Sequence, residues 1–354
     1  MILRRLKVAR FRCLDDIDIR FADRVTAIVG DNGAGKTSIL EAAYYLGRGR
    51  SFRQPRADRL IQHGQKSFQI YGEVAFRDRD HRVGVESGRA ISRIRVDGEE
   101  QKSLSAIAER LVIEVIEPEI HTLVAEGPEK RRRYLDYGVF HVEPDYLQAW
   151  RRYRKTLKQR NAALRLGQSD DVLATWDSQL TDAAETVDSY RNGYVRMLAP
   201  AVEQTCGRLG LDHIEIVYRP GWDDALSMQE AIRSSRQRDR EQKSTTVGPH
   251  RADLRITWSG RAAKQQVSRG QQKLLAAGLV LAQTALLSQV NDNQAVLLVD
   301  DPAAELDSKS LSRLMAAIME LPCQLIMTAI NDDLKGLPPE STMFHVEHGQ
   351  VRPG

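Results

Sequence analysis

Alternating hydrophobic and polar residues near the start of the chain predict β-structure. Ile17 and Ile19 alternate with polar neighbours, and the continuous apolar run Val25–Val29 has the length of a buried strand. After a short loop the pattern becomes helical through about Arg48, and strand-like alternation returns between residues 68 and 115. The first third of the chain is therefore expected to be mainly sheet with one helix.

The middle of the chain has a helical period. Apolar residues recur at helical spacing from Tyr146 to Leu164, and from Leu173 to Met197 they recur in alternating steps of three and four, which is a heptad seam. The turn-forming sequence RLGQSDD separates the two segments. We expect two antiparallel helices that form a short arm within about residues 143–205.

Strands and helices alternate again near the end of the chain. Ala295–Asp300 and Gln324–Thr328 are apolar runs of strand length, and Asp307 is a candidate N-cap for a helix between them. Such alternation is typical of α/β folds. The hydrophobic pattern thus predicts an α/β protein with an inserted helical region.

Charge changes this picture in one segment. The net charge is only +4, but residues 129–165 contain eleven Lys or Arg against four Asp or Glu, a local charge of +7. Most such runs are solvated helix faces, and a nucleic-acid surface is the alternative. The candidate DNA-binding residues are Arg131, Arg132, Arg133, Arg151, Arg152, Arg154, Lys155 and Lys158, with Arg160 in the same run.

Cysteine spacing and hydropathy bear on the cellular compartment. Cys13, Cys206 and Cys323 lie too far apart in sequence for a metal or redox motif, which favours reduced thiols in the cytosol. The chain begins without an apolar signal region, and its longest apolar run, Leu274–Leu287, is too short to span a bilayer. We expect a soluble cytoplasmic protein with no membrane partner.

The sequence GDNGAGKT at Gly30–Thr37 matches the P-loop pattern G-x-x-x-x-G-K-[ST], directly after a predicted strand and before a predicted helix. Backbone N–H groups of such a loop wrap a phosphate, Lys36 reaches the outer phosphates and Thr37 binds Mg²⁺. ATP and Mg²⁺ are therefore the expected cofactors. The predicted nucleotide-binding residues are Gly30, Asp31, Asn32, Gly33, Ala34, Gly35, Lys36, Thr37 and Ser38.

Two adjacent acids, Asp300 and Asp301, follow the strand in LLVDDPAAELD. Asp300 would hold Mg²⁺ together with Thr37, while Asp301 would orient or deprotonate the attacking water. Turns also favour Asp for local reasons, but a P-loop in the same chain favours catalysis. The predicted catalytic residues are Asp301, Asp300 and Lys36.

A second small polar loop, SRGQQK at Ser268–Lys273, precedes the apolar run. Ser268 has two interpretations from the residues alone. Its side chain caps the following helix, or the helix end is directed at an anion.

These motifs, with GPHRADL at Gly248–Leu254 and EGPEKRRRYLD at Glu126–Asp136, resemble the RecF family of bacterial recombinational-repair ATPases over nearly the whole chain. The resemblance implies an ABC-type ATPase head with a mixed sheet and two lobes. The first lobe would comprise residues 1–115 and 290–354. The second, residues 116–289, would carry the helical arm and the loop Ser268–Lys273, which is the signature loop of such ATPases.

The resemblance also implies that the signature loop contacts the nucleotide of a second chain through Ser268, Gly270 and Gln271. It further implies an ATP-dependent homodimer, a slow DNA-stimulated ATPase activity, and binding at boundaries between single- and double-stranded DNA. RecO and RecR would be partners in loading RecA.

The chain departs from the family pattern at two places. Ala329 occupies the position where transporter-type ATPases have a phosphate-sensing His and RecF sequences usually have Thr, and Ile116–His121 lacks an expected second acid. Both departures leave the hydrolysis rate open. Arg12 and His250 match the family pattern, although a surface position and a turn position, respectively, explain them equally well.

Three alternatives differ from this interpretation. The 231 residues between Lys36 and Ser268 disfavour a transporter subunit, and a seam of about 36 Å disfavours an SMC-like tether. Ala329 leaves room for a DNA-binding module with little or no hydrolysis.

Overall fold

The computed structural model describes residues 1–54, 56–77, 79–89, 91–290, 295–330, 337–338 and 341–354. It contains two compact units, with unit 1 formed by Met1–Ile120 and Ala277–Gly354 and unit 2 by His121–Ala276. The strands are β1 (Ile2–Phe11), β2 (Leu14–Arg20), β3 (Val25–Val29), β4 (Ser67–Phe76), β5 (Arg79–Gly88), β6 (Ser92–Val96), β7 (Glu99–Glu100), β8 (Ile113–Ile116), β9 (Ile214–Arg219), β10 (Asp253–Trp258), β11 (Arg261–Ala262), β12 (Val296–Val299), β13 (Gln324–Ala329), β14 (Thr342–Glu347) and β15 (Gln350–Pro353). The helices are α1 (Lys36–Arg48), α2 (Ser105–Ala108), α3 (Thr122–Ala125), α4 (Pro128–Val142), α5 (Tyr146–Arg165), α6 (Asp170–Arg208), α7 (Met228–Gln242), α8 (Ala263–Gln266), α9 (Arg269–Val290) and α10 (Ser308–Glu320).

Unit 1 contains a mixed sheet with the strand order β15-β14-β3-β13-β12-β8, which confirms the mixed α/β fold expected from the sequence. All these strands except β15 pair in parallel. Strand β3 is buried along its whole length, as an apolar run between two covered faces requires. In parallel sheets the carboxyl ends of neighbouring strands meet at one edge, where ligands bind. Here β3, β12 and β13 end together.

A second sheet in unit 1 is antiparallel, with the order β2-β1-β4-β5-β6-β7. One face is apolar and packs on α1, where the Phe68 ring meets Phe11 and Tyr45 edge-on at 5.0 and 5.1 Å. The buried amide of Gln324 joins the two sheets, since it accepts from Leu3 N at 2.8 Å and donates to Leu3 O at 3.0 Å. The apolar cluster under this sheet is the core of unit 1.

The two helices expected in the middle of the chain are α5 and α6, which pack against each other in unit 2. The short turn between them makes the pair antiparallel, as predicted. Residues of the heptad seam, including Leu173, Leu180 and Val187, are fully buried. However, α4, α7 and β9 also pack on α6. The seam of the two helices expected for the arm is therefore part of the core of unit 2.

Two arginines with no exposed surface hold unit 2 together. Arg160 on α5 donates to Asp177 Oδ1 at 2.7 Å, Asp239 Oδ2 at 2.7 Å and Thr245 Oγ1 at 2.9 Å. A buried guanidinium is tolerated only when carboxylates and hydrogen bonds compensate it. The interpretation of Arg160 as part of a solvated basic face is wrong, since its partners come from α6, α7 and the loop after α7.

The second buried arginine, Arg191 on α6, explains two of the sequence motifs. It pairs with Asp136 at 2.7 Å, the last residue of EGPEKRRRYLD, and donates to Pro249 O at 2.6 Å within GPHRADL. Its guanidinium carbon lies 5.1 Å from the centre of the Trp150 ring. Both motifs therefore contribute to the polar core of unit 2.

Helix α9 extends the apolar run beyond the length inferred from the sequence. It has 22 residues, a mean hydropathy of 1.4 in its most apolar window, and 83% of that window buried inside the protein. By length and composition alone it is long enough to cross a membrane, which corrects the sequence-based expectation. Its burial is that of a core helix.

Candidate nucleotide-binding site

The P-loop connects β3 to α1 at the carboxyl edge of the mixed sheet. Gly33 and Gly35 have φ values of 81° and 116°, in the region that side chains other than glycine rarely adopt. Lys36 Nζ donates to the carbonyls of Gly30 and Asp31 at 2.6 and 2.9 Å. The loop thus has the backbone conformation that lets N–H groups surround an anion.

A turn after β14 supports the P-loop. Gly349 N donates to Ala34 O at 2.8 Å. A Cβ atom on Gly30 would come within 2.2 Å of Val346 O, so only glycine fits beside β14 at this position. Gly30 and Ala34 therefore shape the loop against its neighbours.

Asp300 follows β12 and joins two hydroxyl groups from other elements. Thr37 Oγ1 and Thr328 Oγ1 both donate to its Oδ1 atom, at 2.9 and 2.8 Å. Burial raises the pKa of Asp300, and the hydrogen bonds from Thr328 and Thr37 oppose this shift. A cation held here would favour the ionised carboxylate.

Asp301 has the left-handed φ value of 46°, and its N–H donates to Thr328 Oγ1 at 3.0 Å. Thr328, near the end of β13, therefore contacts the Asp300 carboxylate and the Asp301 backbone through one hydroxyl group. The sequence reasoning missed this residue, although its place one position before Ala329 is a signal that points to it.

These residues line a cavity of about 290 Å³. Burial lowers the pKa of Lys36, while Asp301, Asp300 and Asp31 favour its charged form. The cavity wall includes Ala329, whose methyl group cannot donate a hydrogen bond. The lining residues are Cys13, Asn32, Gly33, Gly35, Lys36, Thr37, Ser38, Arg53, Asp300, Asp301, Thr328, Ala329 and Ile330, of which the sequence analysis did not anticipate Cys13, Arg53, Thr328 and Ile330.

Arg12 supports the site indirectly. Its guanidinium binds the fully buried carboxylate of Glu41 at 2.9 and 2.8 Å. Glu41 also accepts from the Ser51 hydroxyl, and Ser51 Oγ accepts from the backbone N–H groups of Arg53 and Gln54 at 2.9 and 2.8 Å. Arg12 thus fixes the loop that carries Arg53 into the cavity.

The residues present fit a magnesium nucleotide. One carboxylate and one hydroxyl from the protein match the partial ligand set that Mg²⁺ usually takes, with phosphates and waters completing the octahedron. In the part of the chain that the structure describes, no cluster of three or more His, Cys, Asp or Glu forms a separate metal site. Thr37 and Asp300 are the residues that would hold the cation.

The signature loop lies in unit 2 and caps its own helix. Gln271 N donates to Ser268 Oγ at 3.3 Å, and Ser268 N donates to Gln271 Oε1 at 2.9 Å, which is a reciprocal capping box. The capping interpretation of Ser268 is therefore confirmed. Both side chains are exposed, and the Ser268 hydroxyl still has its own hydrogen to donate. Contact with a second chain stays a prediction.

The candidate DNA-binding residues fall into two groups. Arg131 binds Asp253 at 2.7 Å and Arg132 donates to Ala252 O at 2.7 Å, so both are engaged within unit 2. Arg133 is exposed and pairs with Glu129 on the same helix. The candidates on α5 are all exposed on one face of that helix and are Arg151, Arg152, Arg154, Lys155 and Lys158.

His250 is partly buried in unit 2, and both of its ring nitrogens have partners there. Its Nδ1 lies 2.6 Å from Tyr153 Oη and its Nε2 lies 3.0 Å from Thr245 O. Since a carbonyl only accepts, Nε2 carries the hydrogen and Nδ1 accepts from Tyr153. Burial lowers the pKa of His250 from 6.5 to about 4, although the bond to Thr245 opposes this.

We expect His250 to stay neutral well below pH 6.5. Because its pKa is lower in the folded protein, the associated stability is complete above the unfolded value of 6.5 and is lost as the pH falls toward 4. Proton–nitrogen correlation spectra of the ring should show the Nε2–H tautomer at pH 7 and its persistence near pH 5. A ring that titrates near 6.5 would contradict the buried geometry.

Thr328→Val should lower hydrolysis while ATP binding persists, because valine keeps the shape but cannot connect Asp300 and Asp301. We expect a loss of about tenfold in kcat and a higher Mg²⁺ concentration at half-maximal rate. Thr328→Ser keeps the hydroxyl and should stay near the wild-type values. If both variants have the same Mg²⁺ dependence as the wild type, Thr328 does not position Asp300.

The P-loop at the sheet edge, the adjoining acids and the separate signature loop define an ABC-type ATPase head. Comparison with known families agrees with this class. The chain belongs to the RecF/RecN/SMC N terminal domain family, whose model matches residues 2–348, and within it to the RecF family.

Individual relatives cover nearly the whole chain. Proteins named DNA replication and repair protein RecF from Pseudomonas paraeruginosa and Pseudomonas putida are 38% and 39% identical, over 99% of this chain and 97% and 98% of theirs. A solved structure of the recombination mediator protein RecF with ATP, described as part of the RecFOR pathway, matches with a TM-score of 0.90 at 26% identity. It covers 100% of this chain and 97% of that one. An Smc head bound to a domain of ScpA has a TM-score of 0.59 at 15% identity, which shows the fold alone.

Proposed function

We propose that this chain is a cytoplasmic ATPase of recombinational repair, which dimerises on ATP at boundaries between single- and double-stranded DNA and assists RecO and RecR in loading RecA. The observation that carries the proposal is that the P-loop, Asp300 and Asp301 meet in one cavity, where Thr37 donates to Asp300. The relatives named RecF and the RecF structure with ATP support the assignment.

The P-loop, the two acids and Thr328 have distinct roles in this proposal. Backbone N–H groups of the P-loop bind the phosphates and Lys36 neutralises the outer ones. Mg²⁺ supplies further neutralisation of phosphate charge when Thr37 and Asp300 hold it. Asp301 orients the attacking water and accepts its proton, and Thr328 fixes the backbone from which that carboxylate extends.

Dimerisation follows from the number of motifs. The chain has one P-loop, in unit 1, and one signature loop, in unit 2. Two copies related by a two-fold axis complete two sites if Ser268, Gly270 and Gln271 of each contact the nucleotide of the other. The exposed basic face of α5 then supplies phosphate contacts to the DNA duplex.

Ser268→Arg should bind ATP but remain a monomer, because the large, charged arginine side chain blocks the contact with the second chain. Fluorescent-nucleotide binding and sedimentation with and without ATP measure the two properties separately. Lys36→Ala should lose both ATP binding and dimerisation. Gln265→Arg adds the same charge at an exposed position outside the signature loop and should dimerise normally. An ATP-dependent dimer of Ser268→Arg would refute the contact between chains.

A DNA-binding protein that holds ATP with little turnover is the second candidate, which Ala329 in the cavity wall favours. ATP turnover by the wild-type chain with and without gapped DNA decides between the two. Turnover that DNA stimulates supports the ATPase, whereas ATP-dependent dimers without turnover support the second candidate.

A further inference from the structure

The solvent-facing side of the antiparallel sheet has a groove that the nucleotide site does not use. The strand register places Tyr71, Gly84 and Arg95 side by side on β4, β5 and β6. Val83 and Val96, which alternate with them, are buried in the core below. The groove has a volume of about 590 Å³ and its wall includes Tyr71, Asp80, Arg82, Gly84, Arg95 and Asp97.

Gly84 gives the groove its depth. A Cβ atom at this position would meet nothing closer than Ile70 O at 3.9 Å, so the space above the glycine is open. Its cross-strand neighbours Tyr71 and Arg95 both have long side chains. The missing side chain therefore leaves a gap between an aromatic ring and a guanidinium group.

The two acids of the groove are already engaged. Asp80 accepts from Arg4 Nη1 with both oxygens at 2.9 Å. Asp97 accepts from the Arg82 backbone N–H at 2.8 Å with one oxygen, and its other oxygen lies 2.7 Å from His81 Nδ1. Neither carboxylate accepts a hydrogen bond from the Arg82 or Arg95 guanidinium.

Two basic side chains of the groove have no such partner. Neither the Arg82 nor the Arg95 guanidinium has a hydrogen-bond or ion-pair partner among the residues that the structure describes. They are diagonal neighbours on adjacent strands, about 7–8 Å apart at the backbone. Like charges this close repel, and a bound anion relieves the repulsion. Glu73 and Glu100 lie opposite Arg82 and Arg95 in the strand register but form no ion pair with them, so the groove offers two guanidinium groups to an anionic ligand.

Tyr71 indicates which kind of anion fits. Its hydroxyl donates to Glu73 Oε1 at 3.2 Å within the same strand, so its polar end is satisfied and its ring is partly exposed. Proteins bind single-stranded nucleic acids with aromatic rings that stack on the bases and with basic side chains that contact the phosphates. The bases of a duplex are already stacked on each other, so the exposed ring favours a single strand.

We propose that this groove binds single-stranded DNA, with a base against Tyr71 and phosphates at Arg82 and Arg95. The inference rests on the DNA binding in the proposed function, and it assigns the single-stranded side of the boundary to the outer face of the unit 1 sheet. It does not depend on ATP or on a dimer.

Binding of a short fluorescein-labelled oligothymidylate and of a blunt duplex, measured by anisotropy without nucleotide, tests the groove. The double variant R82Q/R95Q should bind the oligothymidylate at least about fivefold more weakly, and its salt slope should fall by about 1.4, since each single-strand phosphate contact contributes about 0.7. Duplex affinity should not change. The control R20Q/K66Q removes two exposed charges from unit 1 outside the groove and should leave both affinities near the wild-type values.

The proposed contact between Tyr71 and a base is tested separately. Tyr71→Leu should weaken oligothymidylate binding about fivefold or more without changing the salt slope, whereas Tyr71→Phe should retain it. Equal losses for the oligothymidylate and the duplex, or losses no greater than in the control, would overturn the proposal. A further result would also overturn it: an oligoglutamate peptide binds the wild type but not R82Q/R95Q, and both proteins bind the oligothymidylate equally well. The groove would then bind an acidic protein segment. Failure here leaves the ATP-dependent dimer intact and is distinguishable from failure of the proposed function.

Discussion

Asp301→Asn is expected to lower ATP hydrolysis at least about a hundredfold, because an amide cannot accept the proton of the attacking water. The Asp301 side chain lines the cavity, while the hydroxyl that orients Asp300 belongs to Thr328. Nucleotide affinity should therefore change little. Single-turnover hydrolysis and fluorescent-nucleotide binding measure the two effects, and the ATP-bound dimer should live longer.

Asp307→Asn is the matched control for this experiment. Asp307 caps α10 by accepting from Ser310 N at 2.9 Å, and asparagine caps helices equally well. The control should hydrolyse ATP at the wild-type rate. A similar loss in both variants would show that the loop tolerates no amide, and weak ATP binding by Asp301→Asn would show that Asp301 acts in binding.

Arg160→Met should lower the free energy of unfolding of unit 2 by about 3–5 kcal/mol, since it leaves the buried Asp239 carboxylate without its cation. Asp177 keeps its bond to Arg236 at 2.6 Å, so Asp239 accounts for most of the cost. The four tryptophans, at positions 150, 176, 222 and 258, all lie in unit 2. Urea unfolding followed by tryptophan fluorescence therefore reports unit 2.

Lys158→Met provides the comparison, because it removes a charge from the exposed face of the same helix. Its effect should stay within about 0.5 kcal/mol. Equal midpoints for the two variants would mean that the buried ion cluster contributes little net stability, as happens when desolvation cancels the attraction.

The P-loop and the strands around it could be predicted from the sequence because their signals are local. The spacing Gly30 to Thr37 determines a loop, and the apolar run before it determines a buried strand. The start of α10 after Asp307 could also be predicted, since an N-cap is a contact between residues close in sequence. Interactions between residues close in sequence therefore predict most of the elements that position the nucleotide site.

Contacts between distant residues could not be predicted in the same way. Arg160 looked like one member of a basic run, and its burial depends on Asp239, which is 79 positions away. The contact of Thr328 with Asp300 could not be predicted, because it depends on the pairing of β12 and β13, which brings the two residues together. A run of charged residues in the sequence does not show which of them are exposed. That depends on how the helices and strands pack.

The order of strands in the mixed sheet has a consequence for synthesis on the ribosome. Strand β3 leads into the P-loop and is made early, but both of its neighbours in the sheet, β13 and β14, follow unit 2 in the chain. The P-loop motif therefore leaves the ribosome long before any strand can flank it, and the Gly349 turn that supports Ala34 comes later still. A nascent chain that stalls after unit 2 carries the complete P-loop sequence without the scaffold for binding, so nucleotide cannot stabilise it prematurely.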